Sequence, residues 1–67
     1  MLVVIDYEIR DNHVVVILHD DTHITIRPDQ LSGGILAYHR LLFLLHQMYK
    51  NETAAEIVNN LVAKLIN

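Results

Sequence analysis

Apolar and polar residues alternate through two stretches of this chain, and the alternation leaves little choice of fold. Ile5, Tyr7 and Ile9 interleave with Asp6, Glu8 and Arg10, and Ile24 and Ile26 interleave with His23, Thr25 and Arg27. A period of two is the mark of a strand with one buried face. Between them, residues 13–19 read "HVVVILH", a β-branched run that forms a third strand. Asp11-Asn12 is a two-residue hairpin turn of types that tolerate positive φ, and Asp20-Asp21-Thr22 is a three-residue loop.

These turns specify a register. The first pairs Arg10 with His13, Ile9 with Val14, Tyr7 with Val16 and Ile5 with Leu18. The second pairs His19 with His23, Leu18 with Ile24 and Val16 with Ile26. One face then carries Ile5, Tyr7, Ile9, Val14, Val16, Leu18, Ile24 and Ile26. A slip of one residue would scatter this set to both sides of the sheet. The opposite face is mixed, with Val4, Val15 and Ile17 as a small apolar island.

Pro28 ends the third strand, and "PDQLSGG" connects to a helix with room for one short helical turn. The glycine pair reads as a flexible connector; without the rest of a phosphate-binding fingerprint it carries no nucleotide signal. Ser32 or Gly33 caps a helix that runs to about Lys50. A second helix spans about 53–66, with Thr53 and Glu56 spaced for a capping box and Asn51 as a rival cap. Its apolar face holds Ala54, Ile57, Val58, Leu61, Val62 and Leu65, and Glu56, Asn59, Asn60 and Lys64 lie opposite. The predicted architecture is α+β, one domain over residues 1–67: a three-stranded antiparallel β-meander followed by two α-helices packed on one face, βββαα.

The first helix contains "HRLLFLLHQ", residues 39–47, whose five consecutive apolar residues must point all around it. Ile35, Tyr38, Leu41, Leu42, Leu45, Met48 and Tyr49 form one broad packing side. The polar side carries His39, Arg40, His46, Gln47 and Lys50. Within it Leu36 and Phe43, seven residues apart, stack in line. Two large apolar residues flanked by long polar ones describe a seam for a partner, with Leu36, His39, Arg40, Phe43 and Gln47 as interface residues. A 67-residue chain without cysteine has no disulfides to offset its small core. It is nevertheless 52% hydrophobic, with mean hydropathy +0.27. A homo-oligomer, most simply a homodimer, is expected.

Five histidines raise the question of a metal. His19 and His23, as cross-strand neighbours about 5 Å apart at Cβ, would present two imidazoles beside Asp21. These three are the candidate ligands, although two histidines without further strong ligands do not define a site. No nucleophile–base arrangement is indicated, and Asp6 and Glu8 read as solvated strand carboxylates. A net charge of −3 without any basic run argues against nucleic acid as a partner. The lone Lys64 on the last helix is too little for a helix-turn-helix reader. No secretory signal and no stretch of membrane-spanning length is present, so a cytoplasmic protein away from membranes is expected.

The expected function is a small non-enzymatic protein–protein interaction module without a cofactor. It would be homo-oligomeric, with a regulatory or inhibitory role toward another protein partner. Phage and mobile elements are rich in such compact acidic domains, which is an analogy of size and composition alone. The alternative is a metal- or small-ligand-binding protein built on the His19/His23 hairpin tip.

Overall fold

A computed structural model describes residues 2–66. Strands β1 (Val4–Ile9), β2 (Val14–Leu18) and β3 (His23–Ile26) form one antiparallel sheet in the order β1-β2-β3. A single 3-10 turn, Pro28–Gln30, leads to helices α1 (Gly34–Gln47) and α2 (Glu52–Ile66). The fold is the α+β βββαα arrangement that the alternation predicts.

β2 is the central strand, and its inward row Val14, Val16 and Leu18 is buried. Ile26 of β3 joins it, with Tyr38, Leu41, Leu45 and Met48 from the first helical segment and Val58 and Val62 from α2. Val15 and Ile17, pointing the other way, are only half-buried. The side-chain period of two therefore selects the face that was expected. Truncating a fully buried side chain such as Val16, Ile26, Leu41 or Val58 removes contacts that a core of this size cannot replace.

The register departs from expectation in two places. Ile9, Tyr7 and Arg10 meet Val14, Val16 and His13 as the first turn implies. Between Val4 and Asp6 the ladder shifts by one residue, so Val4 and not Ile5 stands opposite Leu18. This β-bulge accommodates one extra residue in β1. It turns Val4 into the core and leaves Ile5 46% exposed, dissolving the island of Val4, Val15 and Ile17. The Val4 N–H at the bulge donates to Oδ1 of Asn59 on α2 at 2.8 Å. Asn59 was expected on the solvent face of its helix; it is half-buried and ties α2 to β1.

The second hairpin closes one residue earlier than expected. Val16 pairs with Ile24 and Ile17 with His23, so His19 and His23 are not cross-strand partners. The loop is His19-Asp20-Asp21, closed by Asp21 N–H to the Leu18 carbonyl and by Leu18 N–H to the Thr22 carbonyl, both 2.9 Å. Asp21 has φ 69°, the left-handed position of a three-residue hairpin. The reason for the slide lies in that requirement. A loop over residues 20–22 would put β-branched Thr22 at positive φ, whereas aspartate tolerates it. Moving the loop by one residue shifts the register by two and so preserves the buried face. At the first turn neither Asp11 nor Asn12 adopts positive φ, although both types allow it.

The helices also refine the expected boundaries. Asn51, not Thr53, caps α2: its Oδ1 accepts from the N–H groups of Thr53 (2.9 Å) and Ala54 (3.2 Å). α1 stops at Gln47, and Met48–Lys50 follow as turns closed by bonds three residues back. The glycine pair is not a plain flexible connector. Gly34 sits at φ +62°, and a Cβ on Gly33 would stand 2.8 Å from the Cβ of Ala37. Of the residues assigned to the packing stripes, Ile9, Ile35, Tyr49 and Ile57 remain exposed.

Two substitutions test these points. Asp21→Val should destabilise the protein by about 1–2 kcal/mol, the cost of a left-handed L-residue, while Asp21→Gly should leave stability unchanged or raise it. Equal urea midpoints for the two variants would contradict the turn. Asn59→Ala leaves the Val4 N–H without its partner and should cost about 1–3 kcal/mol. Faster exchange of the Val4 amide, read by NMR, should accompany that loss.

Candidate functional site

The outer side of α1 is the most conspicuous surface of the molecule. Leu36 is 79% exposed and Phe43 63% exposed, opposite the buried Tyr38, Leu41 and Leu45 of the same helix, and Ile35 beside Leu36 is exposed as well. His39 and Arg40 are exposed beside them, and Gln47 is half-buried. The five residues read as a seam thus lie on the outward side of one helix. Surface leucines and phenylalanines occur singly on most proteins; here two are aligned two turns apart, with Arg40 and His39 between them.

A polar clasp ties the end of α1, and the turn after it, to β1. The Tyr49 hydroxyl donates to Oδ1 of Asp6 at 2.7 Å, and the same oxygen accepts from the Tyr7 N–H at 2.8 Å. The Tyr7 hydroxyl is 2.8 Å from Nδ1 of His46, with the rings edge to face at 5.5 Å. Tyr7 also stacks on Tyr49 at 6.2 Å. Two side chains from β1 thus hold two from the end of α1 and the turn after it. Rotating α1 to bury Leu36 and Phe43 would break both hydrogen bonds.

Sequence reasoning missed this cluster. It placed Asp6 on the solvent face, His46 among exposed helix residues and Tyr49 on the packing side. The partners are 39 and 43 residues apart, and no local spacing announces them. The hydrogen bond to Tyr49, with that from the Tyr7 N–H, holds the Asp6 carboxyl below the usual carboxylate range. Donating to that carboxylate pushes the Tyr49 phenol up to about 12.

The candidate metal ligands are not brought together. His19 and His23 are exposed, and His23 faces Ile17 across the ladder. Asp21 shapes the turn, and the Asp20 carboxyl pKa is lowered by hydrogen bonding from the Thr22 side chain and then from the Thr22 N–H, which donates to Oδ1 of Asp20 at 3.1 Å. Among the described residues no group of three histidines or carboxylates is arranged to hold a metal ion. A different polar atom stands out in the interior: the Tyr38 hydroxyl is buried with no hydrogen-bond partner among the described residues, and burial raises its pKa. No described helix is long and apolar enough to cross a membrane.

Comparison of the chain with protein-family models, with curated proteins and with solved structures finds no match.

The clasp makes stability pH-dependent at both extremes. The Tyr49 pKa is raised in the folded state, so its contribution is complete below the ordinary value of 10.0 and disappears as pH rises toward about 12. The Asp6 pKa is lowered, so its contribution is present above the ordinary value of 3.8 and is lost as pH falls through the folded value. Tyr49→Phe should flatten the alkaline limb of the stability profile between pH 10 and 12. An unchanged alkaline limb in denaturant titrations would show that the bond does not form in solution.

Proposed function

We propose that this protein is a small non-enzymatic interaction module that self-associates through the outer face of α1. The observation that carries the reading is the exposure of Leu36 and Phe43 in line on α1, opposite its buried residues Tyr38, Leu41 and Leu45. Contiguous exposed apolar surface on a small chain favours a protein partner over permanent contact with water. Four such side chains across a two-copy interface contribute on the order of 6–12 kcal/mol before the entropic cost of association. That surplus corresponds to dissociation constants in the micromolar range or weaker. Self-association also raises the stability of a chain with so small an interior, by mass action.

The metal reading of the hairpin tip lacks the facing pair of imidazoles on which it rested. The seam needs no rearrangement of the fold.

Sedimentation velocity and light scattering test the proposal. The chain should be a dimer or higher oligomer at tens of micromolar, and Phe43→Glu should dissociate it by placing an unpaired charge in the contact. A 7.7 kDa particle persisting to millimolar concentration would rule the reading out.

A further inference from the structure

The charges around Leu36 and Phe43 restrict what covers them. α1 carries no aspartate or glutamate; its fixed charge is Arg40, followed by Lys50 in the next turn, with His39 and His46 alongside. The two ion pairs among the described residues, Arg10–Glu8 and Arg27–Asp29, involve neither Arg40 nor Lys50. An antiparallel α1-on-α1 seam centred between Leu36 and Phe43 would set Arg40 against His39 of the other copy. It would also gather Arg40 of both copies near its centre, with no carboxylate on either helix to pair them, and like charges in a desolvated contact disfavour that pairing.

The chain does possess a complementary surface. Glu52 and Glu56, one turn apart on α2, are exposed and belong to neither ion pair. Beside Glu56 lies a recess of about 360 Å³, lined by Leu2, Asn59, Asn60 and Ala63. Its apolar lining comes from Leu2 and the small Ala63, and its rim bears a carboxylate. Arg40 and Phe43 are three residues apart and so project from the same side of α1. A knob with a cation one turn away matches a hole with an anion on its rim.

Building on the self-association proposed above, we infer that α1 of one copy docks on α2 of a second copy, with Phe43 in the recess and Arg40 paired with Glu56. Each copy presents both surfaces. Two such contacts close a dimer if they are related by a two-fold axis; otherwise the head-to-tail contact gives a ring where its rotation closes and an open filament where it does not.

Charge reversal separates this contact from any other. Both residues are exposed, so the variants should fold, which circular dichroism checks. Arg40→Glu and Glu56→Arg should each weaken self-association at least tenfold in sedimentation equilibrium. An equimolar mixture of the two variants should associate as the unaltered protein does, because every contact then joins opposite charges. Glu56→Arg associating normally while Phe43→Glu dissociates would overturn the α2 docking and leave the α1 seam standing. Failure of the mixture to associate would overturn it as well. A monomeric unaltered protein at millimolar concentration would instead remove the self-association on which the inference rests.

Discussion

The burial of the inward row of β2 is the contact on which the rest of the molecule depends. Val14, Val16 and Leu18 lie beneath both helices and between both neighbouring strands. β1 and β3 are each paired on one side alone, so β2 is the shared element of the sheet. Leu41 and Leu45 of α1 and Val58 and Val62 of α2 are fully buried in the same cluster. Loss of order in β2 would release all four other elements together, as expected of one cooperative unit in a chain this short.

Apolar burial sets the rotation of α1 even though the helix is hydrophobic on most sides: turning it to bury Leu36 and Phe43 would bring Tyr38, Leu41 and Leu45 toward the surface. Directional bonds from β1 reinforce that orientation. The Asp6–Tyr49 and Tyr7–His46 pairs act at the end of α1 and in the turn after it. The exposure of the Leu36–Phe43 line therefore follows from the burial of the opposite side of α1, with the polar contacts to β1 in support.

The parity of the strands was legible because a period of two survives errors in loop placement. Sliding the second loop by one residue moved the pairing by two and kept Val16 and Ile26 inside, yet it separated His19 from His23. The expected facing of His19 and His23 was lost for that reason: it depended on the exact pairing, not on its parity. The bulge at Ile5 was hidden because Val4 and Ile5 are equally apolar, so either satisfies the pattern. Asn59, Asp6 and His46 act through partners 39 to 55 residues away, which no local pattern encodes. Ile9, Ile35 and Ile57 belong to apolar stripes but stay exposed, since a chain of 67 residues has too little interior for all of them. The outward position of Leu36 and Phe43 was readable because helical periodicity sets them opposite Leu41 and Leu45.

The bulge in β1 also bears on what the sheet can recruit. An outer strand offers a row of free N–H and C=O groups, a template for adding a strand from another molecule. An irregular, locally twisted stretch does not match a straight incoming strand. At Val4 the N–H is already taken by Asn59. The opposite edge, β3, is only four residues long and is followed by a proline. Both margins of the sheet are thus poor templates for intermolecular strand addition. Growth of amyloid-like ribbons from the native state is discouraged even though the chain is rich in valine and isoleucine.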